Sequence, residues 1–236
     1  MHEDILDLIK ERRTTEDFLP KYVDWDKVSK IIDAGRHAPS SGNIQNWKFV
    51  VVQSPDRKRE LAEAAFGQHK ITLASALVVV CGEEEKGERY YGLRGARLYT
   101  VQNCAAAVQN MLLEATSLGL GSKWVGAFDE DKVREICGIP AEVRPQAIVA
   151  VGFAKSDPPK PPKYPMESLI YLEKWRSKIR NVNRYLKNHA AIFKGNVDEV
   201  KHLMNKTVSQ VKKKAAPKSK SITEKLRERL KARKKK

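Results

Sequence analysis

Two short stretches of the chain carry residue types from which a site for an anionic, hydrogen-bonding ligand is built. The first, RRTTEDF at residues 12–18, sets Arg12 and Arg13 beside Thr14 and Thr15, just past a helical pattern and before a turn containing Pro20. A guanidinium grips a phosphate as a planar fork, and hydroxyls and backbone N–H groups fill the lone pairs that the fork leaves. The same residues also suit a solvated helix end whose cations complement the macrodipole. The second stretch, APSSGNIQNWKF at residues 38–49, strings small hydroxyls, a glycine, carboxamides and a tryptophan together directly before the apolar run VVV. Either its side chains meet a ligand, or it is a capped polar turn with Trp47 in the core.

Other chemistry is excluded by spacing. The histidines at 2, 37, 69, 189 and 202 form no H-x-x-x-H pair and have no cysteine at ligand spacing, so no metal site is expected. His37 precedes Ser40 by three residues, but no nucleophile-elbow pattern surrounds the serine. GLGS at 119–122 holds two of the glycines of a dinucleotide fingerprint and follows a helical pattern where the fingerprint follows a strand; it reads as a helix stop. Cys81, Cys104 and Cys137 are odd in number and set in apolar surroundings, which predicts buried free thiols in a reducing, cytoplasmic compartment. Acidic residues stand near the start where a signal peptide would be basic, and the longest apolar run, LASALVVVC, is about half the ~20 residues that span a bilayer.

These residues must be held by a scaffold, and the pattern supplies one. Ile5, Leu8 and Ile9 mark an amphipathic first helix. A second has Asp24 as N-cap, Val28, Ile31 and Ile32 as its apolar face and Gly35 near its stop. WKFVVVQ reads as a strand, DRKRELAEAAF as a short helix and ASALVVVCG as a strand buried on both faces. The longest helix is predicted over 93–118, with a stripe of Leu98, Val101, Ala105, Val108, Leu112 and Ala115, stopped by GLG. SKWVGAF follows as a strand or turn, then a helix from near Asp129 to Gly138, and PQAIVAVGFA as a third strand. Interleaved helices and strands predict a layered α/β or α+β body.

Beyond it the composition changes. KSDPPKPPKYP predicts an extended arm. Helical patterns resume near Leu172, break at KKKAAPKSKS, and return in SITEKLRERLKARKKK with Ser221 and Glu224 at capping-box spacing. Residues 1–170 hold 23 Lys and Arg against 24 Asp and Glu, whereas residues 171–236 hold 22 against 5, a net +17. The high overall charge therefore belongs to the tail.

Taken together, Arg-Arg-Thr-Thr near the N-terminus and Ala-Pro-Ser-Ser-x-Asn-x-Gln-x-Trp after a helix resemble the FMN-dependent nitroreductase family. GLGSKWVGAF, VAVGFA and PPKYPMESLIYLEKW are similar to that family's later turn, last core strand and closing arm, so the likeness covers about residues 3–175. It implies an α+β fold: a three-layer α-β-α sandwich around a mixed, mainly antiparallel sheet. The domain would be 1–175, with 176–236 as a basic, largely helical or partly disordered extension. The resemblance further implies FMN with NADH or NADPH as electron donor, ping-pong hydride transfer to a small acceptor such as a nitroaromatic or quinone, and a homodimer embraced by the arm from about Pro158. Arg12, Arg13, Thr14 and Lys163 would hold the FMN phosphate. Pro39, Ser40, Ser41, Asn43 and Gln45 would border the flavin from the other subunit, and the backbone at Val125 and Gly126 would face its redox-active nitrogen. No side chain is implied as general acid or base, because the cofactor carries the difficult step. Where the family commonly has Lys or Arg two residues after the hydroxyl position, this chain has Glu16; another cation, such as Lys70 or Arg36, then takes over, or the flavin's potential is lowered, or cofactor binding is weakened. A rival expectation is a non-catalytic or flavin-sensing dimeric platform whose basic tail binds nucleic acid or an anionic membrane.

Overall fold

The protein was analysed as a computed structural model that describes residues 4–178. A first unit runs through Pro161 and a second begins at Pro162.

In the first unit α1 (Ile5–Glu11) leads to β1 (Phe18–Leu19), α2 (Trp25–Arg36), β2 (Trp47–Val52), α3 (Pro55–Ala64), β3 (Ala76–Glu83), α4 (Glu84–Arg94), α5 (Thr100–Ser117), β4 (Gly121–Val125), α6 (Glu130–Cys137) and β5 (Val143–Ala154). The sheet is ordered β1-β5-β3-β2, with β4 also paired to β5. All of these pairings are antiparallel, and the parallel element is a single bridge from Thr14 to Ser122.

Because strand side chains alternate between faces, β3 and β5 each divide their apolar residues between two cores. Val78, Val80, Val149 and Val151 pack with Val28 and Ile31 of α2 and with Val108 and Met111 of α5. Leu77, Val79, Ile148 and Ala150 pack on the opposite face with Leu61 of α3 and Val133 of α6. This alternation is why β3 reads as an uninterrupted apolar run, and it makes the three layers. Each fully buried Ile, Leu or Val contributes about 1.5–3 kcal/mol.

The helix predicted over 93–118 forms: just past a kink at Gly92 (φ 59°) the chain runs from Leu93 through a π-turn over Gly95–Tyr99 into α5 and ends at Ser117, and one local expectation, its buried stripe, is corrected. Its buried face is Cys104, Ala107, Val108, Met111, Leu112 and Ala115, while Val101 is exposed. The stripe drawn through Leu98 and Val101 followed a regular α period, and the wider π-turn over Gly95–Tyr99 rotates the face away from it. Gly35 stands one residue before the end of α2 as expected, and it is buried there, where a Cβ would stand 2.8 Å from Met111 Cγ, so it sets how closely α2 and α5 cross. Asp24 occupies the N-cap position of α2 as expected but makes no side-chain capping bond. By contrast, Asp129 caps α6 by accepting from the N–H groups of Asp131 and Lys132, and Gly138 ends that helix in the left-handed region at φ 64°.

The second unit contains α7 (Met166–Leu169), a bridge between Tyr171 and Lys178, and an edge-to-face contact of Tyr171 with Trp175 at 4.8 Å. The helical patterns expected beyond residue 178 lie outside the described residues. Among the described residues no helix is long and apolar enough to cross a membrane, and no cluster of three His, Cys, Asp or Glu is arranged to hold a metal.

Candidate functional site

The Arg12–Thr14 segment leaves α1 and is laid along β4. Thr14 bridges Ser122, and the Thr15 N–H donates to the Ser122 carbonyl at 2.9 Å. Gly121 permits this approach, since a Cβ there would lie 2.5 Å from Thr15 Oγ1. The two arginines then diverge in role. Arg13 Nη1 donates to the carbonyls of Lys10 and Arg12 at 2.6 and 2.8 Å, satisfying the open end of α1. Arg12 is half-buried and has no acidic partner among the described residues. Its pKa lies below the usual arginine value, first through burial and second through the charge of Arg13. A guanidinium held in this way favours an added anion, and a phosphate would remove the cost of both causes at once.

Val125 and Gly126 lie at the other end of the same strand. From Ser122 to Gly126 β4 and its extension measure about 13 Å at ~3.3 Å per residue. Val125 is buried in the core, whereas Gly126 is exposed, and only Trp124 Nε1, at 3.8 Å, lies near where a Cβ would project. The backbone there is open to a flat ligand. Ser122 Oγ is buried without a hydrogen-bond partner beside Thr14, leaving a polar atom for whatever occupies this strand.

The Pro39–Gln45 loop is built separately, on α5 and the end of β3. Gly42, Asn43 and Gln45 all have positive φ, at 53°, 57° and 47°. For Gln45 this conformation is costly and needs compensation. Its N–H donates to Ser40 Oγ at 3.0 Å and its Nε2 to Asn43 Oδ1 at 2.9 Å. Beneath the loop runs a buried amide chain. Ser41 N and Oγ donate to Asn103 Oδ1 at 3.0 and 3.3 Å. Asn103 Nδ2 donates in turn to Asn46 Oδ1 at 2.9 Å, and Asn46 Nδ2 donates to Thr100 Oγ1 at 2.7 Å and to the Glu83 carbonyl at 3.0 Å. The structure thus leaves Pro39, Asn43 and Gln45 exposed on a rigid rim, with Ser40 and Ser41 half-buried beneath them.

Arg12, Arg13, Thr14, Val125 and Gly126 are therefore brought to one strand, and Pro39, Ser40, Ser41, Asn43 and Gln45 to one loop. Among the described residues no hydrogen bond joins the two groups within the chain. Lys163 is exposed and belongs to the second unit. Of the cations considered to answer Glu16, Lys70 pairs with Asp17 at 3.0 Å and Arg36 with Asp33 at 2.6 Å; Glu16 itself pairs with Lys123 at 2.6 Å. Lys123, Asn46 and Asn103 were missed in the sequence. A carboxamide on the core-facing side of a long helix was the available signal for Asn103. A cavity of about 740 Å³ is lined by Lys48, Cys81, Lys86, Arg89, Cys137 and Val143 among others and contains none of these site residues. Burial and Cys137 push the Cys81 thiol up to about 12, so neither that cavity nor the cysteine offers a nucleophile at neutral pH.

This fold, with two polar half-sites on its central sheet and its longest helix, belongs to a recognisable class. The sequence matches the nitroreductase family over residues 9–96 and 67–153, more than half of the chain, and the protein belongs to that family. A protein of Archaeoglobus fulgidus, whose name places it among the NADH dehydrogenase/NAD(P)H nitroreductases, is 33% identical over 160 residues, 66% of this chain and 88% of its own. The "FMN reductase (NADPH)" of Bacillus subtilis is 26% identical over 220 residues, 86% of this chain and 81% of its own. A nitroreductase family protein of Clostridium difficile has a crystal structure that superposes with a TM-score of 0.64 at 26% identity, covering 74% of this chain and all of that one.

Proposed function

We propose that the protein is an NAD(P)H oxidoreductase that works with FMN as its cofactor. The observation that carries this reading is the Thr14–Ser122 bridge, which sets a half-buried arginine with no acidic partner among the described residues at one end of β4 and an open, Gly-containing backbone at the other. A ligand with a charged phosphate and a flat hydrogen-bonding ring, separated by a chain, matches that layout. When bound, FMN would supply the two-electron chemistry between NADH or NADPH and a small oxidised acceptor, a nitroaromatic or quinone, in a ping-pong order.

The chain's own residues supply binding and orientation. Arg12 forks the phosphate, and the Thr14 hydroxyl with the remaining N–H groups of Arg13 completes its shell. Val125 and Gly126 present backbone to the ring. Pro39, Ser40, Ser41, Asn43 and Gln45 border it from a second copy of the chain, their carboxamides and hydroxyls matching a rim that alternates donors and acceptors. The rigidity of that loop holds the ring at a fixed angle to incoming nicotinamide and acceptor, which is where orientation lowers the barrier. A homodimer is supported by α1, which buries none of its residues in the single chain although Ile5, Leu6 and Ile9 are apolar. Residues 1–175 form the FMN-binding body in this reading, and 176–236 the basic extension.

The test is a visible spectrum of the purified protein after incubation with FMN and removal of the excess, followed by anaerobic addition of NADH or NADPH. A retained flavin band that bleaches is expected. Arg12→Ala weakens FMN binding about ten- to a hundredfold, the range of one charge-assisted hydrogen bond or more. A protein that stays colourless, or Arg12→Ala with unchanged affinity, refutes the assignment.

A further inference from the structure

Between the two ends of the proposed cofactor site stands an ion pair formed by residues 107 positions apart. Lys123 Nζ lies 2.6 Å from Glu16 Oε2. Lys123 belongs to β4, one residue past Ser122, which bridges Thr14, and two before Val125. At ~3.3 Å per residue, the Lys123 backbone lies about 7 Å from Val125 and about 3.3 Å from Ser122, on the strand that joins the two ends of the proposed site. The lysine side chain is 13% exposed and the glutamate 55%, so the cation is fixed by the fold and the anion leans onto it from solvent. The adjacent acid, Asp17, is already occupied by Lys70, and Arg36 is engaged with Asp33 on α2. Lys123 is thus the cation of this strand, and Glu16 is its counter-charge.

Resting on the FMN reading above, we propose that the Lys123–Glu16 pair sets the reduction potential of the bound cofactor, with Lys123 as the stabilising charge and Glu16 as the group that moderates it. Hydride transfer brings two electrons and one proton, so reduction adds one negative charge to the cofactor while the nicotinamide departs as its oxidised cation. A lone cation beside that new charge favours the reduced form, and a lone carboxylate opposes it. The intact pair, summing to about zero, holds the potential between these limits. Since the lysine end is nearly shielded from water, the interaction is not screened away as it would be between two surface groups. Glu16, at a position where the resemblance implies a cation, is then not a loss of function but half of a dipole whose positive end comes from β4.

The experiment measures the midpoint potential of FMN bound to the full-length protein by anaerobic dye-equilibration titration, with affinity for oxidised FMN measured separately by fluorescence quenching. Glu16→Gln leaves Lys123 uncompensated and raises the potential. Lys123→Met leaves Glu16 uncompensated and lowers it. Each single change shifts the ratio of affinities for reduced and oxidised FMN by tenfold or more, about 30 mV for a two-electron couple. The double variant returns towards wild type, and Lys123→Arg stays with it. A pair that serves only to support the fold would move both single variants alike, so shifts of the same sign, or none, overturn the inference. Should wild type bind FMN and reduce normally while the potentials stay unmoved, this inference alone fails. Should wild type bind no FMN, the cofactor reading fails and takes the inference with it.

Discussion

Replacing Asn103 with leucine tests whether the buried amide chain holds the flavin-bordering loop. Leucine has nearly the same volume, so the change deletes hydrogen bonds without opening a cavity. Asn46 Oδ1, in a residue with no exposed surface, loses the donor that reaches it at 2.9 Å, and the Ser41 N–H loses its acceptor at 3.0 Å. An orphaned buried polar group costs about 1–3 kcal/mol. With two such groups, and roughly 1 kcal/mol recovered from the apolar side chain, the net loss is about 1–5 kcal/mol. For a body of this size a loss of 3 kcal/mol lowers Tm by about 6–12 °C. Without its anchor, the loop relaxes from the positive φ of Asn43 and Gln45, and FMN affinity falls along with stability. Urea unfolding of the apo protein and FMN titration of the folded variant read the two effects separately. Asn103→Asp keeps the acceptor for Ser41 and loses the donor to Asn46, and so falls between wild type and leucine. Stability within about 0.5 kcal/mol of wild type together with unchanged FMN affinity would refute the claim that this network positions the loop.

Gly35→Ala gains about 1 kcal/mol in helix propensity but forces Met111 aside, at about 1–3 kcal/mol, so the urea midpoint falls modestly with an unchanged m-value; combining it with Met111→Ala removes the steric part. The Glu130 carboxyl is held below its usual pKa chiefly by hydrogen bonding from Arg144, whose two bonds measure 2.9 and 2.8 Å. Because the folded pKa is depressed, that stabilisation is present above the unfolded value near 4.5 and is lost as pH falls through the folded one. Glu130→Gln therefore flattens part of the acid limb of a stability–pH profile, by about 0.5–1 kcal/mol for a partly exposed pair. The net +17 of residues 171–236 predicts that retention of the full chain on a polyanion column falls steeply with salt; salt-independent elution would exclude the electrostatic contact.

The sequence was most informative where periodicity and turn chemistry act over a few residues. The run LVVVC predicted a strand buried on both faces because alternate side chains enter separate cores. Asp129 and Gly138 bounded α6 because a carboxylate can cap free N–H groups and a glycine can adopt a left-handed backbone without strain. Arg12–Thr14 and Pro39–Gln45 stood out because clustered cations, hydroxyls and amides have no place in an ordinary core or strand mouth. The longest helix was placed correctly from residue 93, but its buried stripe was misjudged through Leu98 and Val101, where the π-turn over Gly95–Tyr99 rotates a face that residue types alone continue.

What the sequence by itself determined was the set of local elements and the two stretches rich in hydrogen-bonding groups, since both depend on neighbours within a turn or a strand. Only the tertiary structure decided which partners those stretches use: Thr14 against Ser122, Ser41 on Asn103, Glu16 with Lys123. Those pairs are separated by 62 to 108 positions, and no local pattern encodes them. They arise when the packing of β4 and α5 into a shared sheet and core brings distant charges and amides within reach, at distances where a proton or a charge must be answered.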